Sequence, residues 1–245
     1  MYHFFAPQGS VEDGFLTITG PDVKHITRVL RMKEGERLIV SDDQDRNRLC
    51  EIAACGPDSV RVRVLEEEIP STEMTRRVIL FQGLPKGDKM DYIISRSVEL
   101  GAAGLVPVEM ARSVVKLEPK KKESRRERWQ AKAESAAKQS GRGVIPEIGA
   151  VCGFADAVKE ARQLDVILVP YESAEGMAYT REVLGGIPAG TSVGVFIGPE
   201  GGFAPEEIEA LTAAGGKILT LGPRILRTEA AGAAVLAMCT LLWEE

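Results

Sequence analysis

The sequence predicts an α/β protein in two parts, a small β-rich unit over residues 1–70 and a parallel-sheet unit over residues 74–245. Three observations predict it. Val60-Arg61-Val62-Arg63-Val64 alternates as a half-buried strand does. Residues 77–82 form a nearly continuous apolar run, typical of a strand buried on both faces, and a helix pattern and a second short strand follow it. Near the C-terminus two apolar runs each stop in Gly-Pro, at Ile197-Gly198-Pro199 and Leu221-Gly222-Pro223. Two such loops fit one edge of a parallel sheet, where open α/β sheets bind ligands.

In chain order, Pro21 and Asp22 open a helix whose apolar stripe is His25, Ile26, Val29 and Leu30; Lys24, Arg28 and Arg31 lie on its other face. Residues 37–40 and 49–52 are weaker strands around a polar turn at 42–47. A β-rich unit of this size is more often a small barrel than an open sheet. Residues 66–73, charged and carrying Pro70, read as a linker. Asp88 is placed to cap a helix that buries Met90, Ile93, Ile94 and Ser97 and ends at Gly101, before a strand at 105–108. Another helix starts at Arg125, carries Trp129, Ala133, Ala136 and Ala137 on one side, and ends at Ser140-Gly141. A helix at 154–162, strands at 165–170 and 193–197, a helix from Pro205 and a strand at 217–221 complete the alternation. A polar, Gly-containing stretch separates Glu172 from Val193. The last helix, with Thr228 as its N-cap, stripes Val235, Met238, Cys239 and Leu242, widened by Leu236 and Ala237. A helix apolar around most of its circumference is buried.

Bulk properties narrow the function. With 245 residues, 44% hydrophobic and 27% charged, the chain can bury a sizeable core. The N-terminus has no basic start and no apolar segment of a signal peptide, and no run spans a membrane. Four scattered cysteines and two histidines, His3 and His25, form no zinc pattern. The expectation is a cytoplasmic protein with free thiols and no metal. Net charge is −5, yet the segment 112–128 holds eight Lys/Arg against three Glu, so it is +5 on a remainder of −10. That stripe fits either a phosphate-facing side or a solvated helix face.

The loop Gly198-Pro199-Glu200-Gly201-Gly202 matches neither a dinucleotide fingerprint nor a P-loop. Glu200 sits inside it, and Glu206 and Glu207 fill the first turn of the next helix, where they would repel a pyrophosphate. A neutral or locally cationic ligand suits it better; S-adenosylmethionine, a sulfonium without phosphate, is one. The alternative is a plain tight turn.

Phe196-Ile197-Gly198-Pro199-Glu200-Gly201-Gly202-Phe203 followed by Leu221-Gly222-Pro223-Arg224-Ile225-Leu226-Arg227-Thr228-Glu229 resembles the SPOUT class of methyltransferases. Within it, the match is to the ribosomal RNA small subunit methyltransferase E family. The segments at 25–35 and 85–108 are similar to that family too. The resemblance implies a PUA-like RNA-binding β-barrel at 1–70 and an α/β methyltransferase domain at 74–245 with a C-terminal trefoil knot. It also implies a homodimer, S-adenosylmethionine as cofactor, and methylation of N3 of a uridine in 16S rRNA or the assembled small ribosomal subunit.

The candidate cofactor residues are Val169, Pro170, Ile197, Gly198, Glu200, Gly201, Gly202, Leu221, Gly222, Arg224, Ile225 and Leu226, which would act largely through backbone groups. Removing a uracil proton needs a base, and the charge left on the ring oxygens needs a cation. Glu229 and Arg227 are the candidates, with Glu200 as alternative base and an ordinary Arg227–Glu229 salt bridge as the plain reading. The candidate RNA contacts are Arg28, Arg31, Lys86, Arg96, Arg112, Lys116 and Arg142, with the subunit interface as the other reading of Arg142. His25 reads as a packed helix residue. Two departures stand out: Lys138 where the family carries Glu, and Ala230 where it commonly carries Thr. The competing readings are a non-catalytic RNA-binding assembly factor and an unrelated small-molecule enzyme on a nucleotide-binding fold.

Overall fold

Five strands of the first unit turn their apolar residues to one side. They are β1 (Tyr2–Phe5), β2 (Phe15–Thr19), β3 (Arg37–Ser41), β4 (Asn47–Cys55) and β5 (Ser59–Ile69), in sheet order β1-β3-β4-β5-β2. Only β1 and β3 run parallel. Leu16, Ile18, Leu38, Val40, Cys50, Ile52, Val60 and Val62 alternate inward and form one core. The computed structural model describes residues 1–6, 11–172 and 176–244; residues 173–175, within the polar stretch after Glu172, lie outside it. The described chain divides into Met1–Glu73 with Ser135–Ile145, and Met74–Glu134 with Pro146–Glu245.

Two expectations for the first unit are corrected. The run Glu66-Glu67-Glu68-Ile69, read as linker, continues β5, where Glu66 pairs with Leu49 and Ile69 with Asn47. Register shifts in β4 let the pairing continue after the inward–outward alternation has ended. The first helix is α1 (Pro21–Lys24) followed by a π-helical turn, His25–Val29, closed by Leu30 N–H on His25 O at 2.9 Å. The wider turn rotates the buried face: Val23 and Ile26 are buried, whereas His25 and Val29 are exposed. The His25 ring meets Phe4 edge-on at 6.1 Å. Lys24, Arg28 and Arg31 all face solvent.

The second unit is an all-parallel sheet. Its strands are β6 (Arg77–Gly83), β7 (Gly104–Glu109), β8 (Glu147–Ile148), β9 (Cys152–Gly153), β10 (Val166–Pro170), β11 (Ser192–Ile197) and β12 (Lys217–Leu219). The order is β12-β10-β11-β6-β7-β8, with β9 also on β7. The central strands are apolar on both faces, and Phe81 and Phe196 stack at 4.6 Å between β6 and β11. The helices are α2 (Lys89–Glu99), α3 (Pro119–Ser140), α4 (Phe154–Ala161), α5 (Met177–Gly185), α6 (Pro205–Ala213) and α7 (Thr228–Trp243). The last turns of α3 belong to the first unit.

Helix starts were the weakest expectations. α3 begins at Pro119, not Arg125, because a lysine-rich first turn carries no apolar stripe to read. α5 lies where a polar stretch was expected. Asp88 occupies the N-cap of α2 but makes no side-chain cap bond. Arg227, not Thr228, is the N-cap of α7. α7 packs on α2 and α5. Val235, Leu236, Cys239 and Trp243 are its buried apolar side chains, while Leu241 and Leu242 are 80% and 44% exposed. The expectation of burial around most of this helix is therefore met on one face only. Among the described residues no helix is long and apolar enough to cross a membrane.

Candidate active site

Parallel strands send their C-terminal ends to one edge, and here that edge holds a cleft of about 520 Å³. The two Gly-Pro loops form its walls: residues 197–203 after β11 and residues 220–228 after β12. Pro170, Tyr171 and Glu172 after β10 contribute, as do Lys89 of α2 and Arg112. Every candidate cofactor residue lines the cleft except Val169, whose side chain is fully buried in the sheet core one residue below it. Arg227 lines it; Glu229, two residues into α7, is not among the lining side chains.

Hydrogen bonds fix both loops. In the first, Pro199 O accepts Gly202 N–H at 2.9 Å, closing a turn that Gly202 enters at φ +67°. A Cβ on Gly198 would lie 3.1–3.3 Å from the backbone of Gly202 and Phe203, so any side chain there must push the turn open by a few tenths of an ångström. In the second loop, the buried Thr180 hydroxyl of α5 donates to Thr220 O at 2.8 Å and accepts Thr220 N–H at 3.2 Å. Thr228 does not cap α7: its hydroxyl donates to Gly198 O at 2.7 Å, joining the start of the last helix to the first loop.

The charges differ from their sequence reading. Glu207 turns inward, where its carboxylate accepts Ala204 N–H at 2.8 Å and Ala111 N–H at 2.9 Å. It anchors the segment whose Arg112 donates to Gly201 O at 3.1 Å. Glu200 is not free to face a cation: it accepts Lys86 N–H at 3.0 Å and Lys89 Nζ at 2.9 Å. Burial alone would raise the Glu200 carboxyl, but the bond from Lys89, backed by backbone donors, holds it below the usual carboxylate range. Glu229 Oε2 is buried 3.3 Å from the same Lys89 Nζ, an ion pair without hydrogen-bond alignment. The bond to Glu200 chiefly, then the neighbouring Glu229 carboxylate, raises the Lys89 pKa. Lys89 escaped the sequence reading although it stands three residues after Lys86; only its place across from both loops marks it.

The basic candidates scatter. Arg28 and Arg31 are exposed in the first unit, and Lys86, Arg96, Arg112 and Lys116 are exposed in the second. Arg96 pairs with Glu99 and lies over the Tyr92 ring at 5.4 Å. Arg142 is buried, its Nε donating to Glu73 Oε1 at 2.8 Å. In the +5 segment, Lys121, Lys122, Arg126 and Arg128 are paired with carboxylates. Lys138 bonds both oxygens of Asp22 at 2.9 Å, so the reversed charge at that position has an acid of its own.

Residues 72–240 match an RNA methyltransferase domain family and residues 18–65 an RNA methyltransferase PUA domain family. The chain is 39% identical over 218 residues to ribosomal RNA small subunit methyltransferase E of Bacillus subtilis (strain 168), covering 88% of this chain and 85% of the relative. This chain belongs to the ribosomal RNA small subunit methyltransferase E family. It is 30% identical over 231 residues to the enzyme of that name from Mycobacterium tuberculosis, covering 92% and 86%. The methyltransferase E of Neisseria gonorrhoeae, solved bound to S-adenosylmethionine, superposes at TM-score 0.82 with 28% identity, covering 99% of this chain and 98% of that one. A putative methyltransferase from Legionella pneumophila, also solved with that cofactor, gives TM-score 0.83 and 29% identity, covering 98% and 97%. The fold is thus the SPOUT-type methyltransferase fold of the methyltransferase E family, with a PUA-like sheet before it in the sequence.

Proposed function

We propose that this chain methylates N3 of a uridine in 16S rRNA, free or in the assembled small subunit, with S-adenosylmethionine as donor. One observation carries the reading: the two Gly-Pro loops, on strands separated by β10 alone, converge on one cleft at the strand ends. Its volume lies within the roughly 300–1,000 Å³ of small-molecule sites. Its walls are backbone closed tightly on glycine, as a slot for adenine and ribose requires. The cofactor, when bound, supplies an electrophilic methyl group.

The chain's residues do the rest. Arg227, which lines the cleft, is the proposed partner of the charge that develops on the uracil oxygens. Glu229 is the proposed proton acceptor. Glu200, whose carboxyl Lys89 and the Lys86 N–H hold below the ordinary range, is the alternative base. The exposed cations Arg28, Arg31, Lys86, Arg96, Arg112 and Lys116 are the proposed phosphate contacts, and the target base leaves its stack to reach the cleft. The exposed Leu241–Leu242 face of α7 is the proposed homodimer surface, and the cytoplasm is the proposed compartment.

Mass spectrometry of rRNA nucleosides tests the reading. A strain lacking the protein should carry one unmodified uridine that the purified protein and S-adenosylmethionine methylate at N3; an rRNA indistinguishable from that of the parent strain would sink it. For the base, single-turnover rates of Glu229→Gln across pH are expected to fall well below wild type. An unchanged rate and profile would exclude Glu229.

A further inference from the structure

The peptide unit between Gly198 and Pro199 has an unusual constraint. Proline has no N–H, so this unit can be anchored by hydrogen bonding only through the Gly198 carbonyl. That carbonyl accepts the Thr228 hydroxyl at 2.7 Å. Thr228 has one proton to give, so its oxygen must accept from its other neighbour, and that neighbour is the Gln82 amide, with Nε2 at 2.9 Å. Nε2 also donates to Gly83 O at 3.0 Å. The two bonds together fix which end of the amide is nitrogen. Gly83 completes the platform, because a Cβ there would lie 2.6 Å from Pro199 N and Cδ.

Gln82 is fully buried at the end of β6, beside Ile197 in register, and is absent from the cleft lining. Its Oε1 is also buried and has no hydrogen-bond partner. An orphaned acceptor in a sheet core is unfavourable, and an apolar side chain of similar volume would avoid it. Fold stability alone therefore does not account for an amide at this position.

We infer that Gln82 is a positioning residue. Acting through Thr228, it sets the orientation of the Gly198–Pro199 peptide and hence the shape of the loop that takes the cofactor. The inference rests on the proposed cofactor site but concerns Gln82, which lies outside its lining. The relay has a direction: the amide holds the hydroxyl, and the hydroxyl holds the carbonyl. Loss of Gln82 releases Thr228 to rotate, and loss of the Thr228 hydroxyl makes Gln82 irrelevant.

The test is calorimetric titration of S-adenosylmethionine into wild type, Gln82→Met, Thr228→Val, Thr228→Ser and the Gln82→Met/Thr228→Val double variant. The melting temperature of each is measured without cofactor. Gln82→Met is expected to raise Kd roughly three- to tenfold, the worth of one hydrogen bond. Its Tm should move by less than about 3 °C, because two lost donors are offset by the removed orphan. The double variant should bind no more weakly than Thr228→Val, and Thr228→Ser should bind as wild type does. If Gln82→Met does not fold, the contrast of Thr228→Ser with Thr228→Val still decides whether the hydroxyl sets the loop. Wild-type Kd in Gln82→Met, losses that multiply in the double variant, or equal binding by Thr228→Val and Thr228→Ser would overturn the inference. If wild type itself does not bind, the proposed function fails instead.

Discussion

Enlarging Gly198 tests whether the first loop works by its shape. A Cβ there would sit 3.1 Å from Gly202 C, 3.2 Å from Gly202 Cα and 3.3 Å from Phe203 N. Carbon contacts are comfortable at about 3.5–4.0 Å, so Gly198→Ala forces the turn open by a few tenths of an ångström. All three neighbours are backbone, so no side chain can swing aside. Overpacking of this kind costs about 1–3 kcal/mol, which is roughly five- to more than a hundredfold in Kd if the opened loop must close again on the ligand. Gly198→Val adds two methyl groups against the same backbone and is expected to abolish measurable binding of S-adenosylmethionine in calorimetry. Gly202 supplies the control. Its φ is +67° with nothing within 4 Å of a built Cβ, and Asn accepts that conformation. Gly202→Asn should therefore lose no more than about 1 kcal/mol of binding. Wild-type affinity in Gly198→Val would refute the argument, and so would a Gly202→Asn defect as large as that of Gly198→Val.

Other perturbations probe the charges. Lys89→Met removes the cation shared by Glu200 and Glu229, so the Glu200 carboxyl, read by NMR titration, should rise from below its usual 4.5, since burial alone raises it. A group with a depressed folded pKa stabilises above its unfolded value, so the Tm gap between wild type and Lys89→Met should be widest at neutral pH and close as pH falls below that value; a pH-independent gap would contradict this. In the first unit, Ser41 donates to Asn47 and accepts from His3 Nε2 at 2.5 Å, which leaves His3 Nδ1 buried without a partner. Burial lowers the His3 pKa from 6.5 to about 4, so urea stability should fall as pH drops from 6.5 towards 4, by up to about 3 kcal/mol, and His3→Gln should flatten that part of the curve. Arg142→Met removes the buried guanidinium from the half-buried Glu73 carboxylate, which keeps the Gly143 and Val144 N–H groups, and is expected to cost about 1–3 kcal/mol in urea unfolding. A smaller salt slope of RNA binding with no loss of stability would instead place Arg142 at the RNA.

What the sequence disclosed and what it withheld divide along chain distance. The Gly-Pro loops were legible because glycine and proline mark turns locally, and the apolar runs before them mark buried strands. β6 and β11 were found within one residue of their ends for that reason. The π-turn at His25–Val29 was not legible, since the same side chains fit an ordinary helix and only the hydrogen-bond shift exposes Val29. α5 was hidden because Thr180, one of its three buried residues, is polar; that hydroxyl serves Thr220, forty residues away. Thr228 has the residue type of an N-cap, and the local reading gave it that role. A carbonyl thirty positions earlier takes its proton instead.

The same distance effect changes how the cleft is understood electrostatically. Read along the chain, Glu200 and the acidic start of α6 make the first loop a site for a cation. In the folded unit Glu207 is consumed by two backbone N–H groups, and Glu200 shares Lys89 with Glu229. Among the charged lining residues, Lys89, Arg112, Arg224 and Arg227 outnumber Glu172 and Glu200 by four to two. A sulfonium gains little from such a lining, so cofactor affinity must come from loop shape and peptide groups. That is why the graded Gly198 series and the Gln82 relay are the sensitive tests of binding. The surplus positive charge suits the other reactant, a polynucleotide whose phosphates accompany the target base to the cleft. Neutralising Arg112 or Arg224 should then weaken RNA binding and reduce its salt dependence; an unchanged RNA affinity and salt slope would refute this.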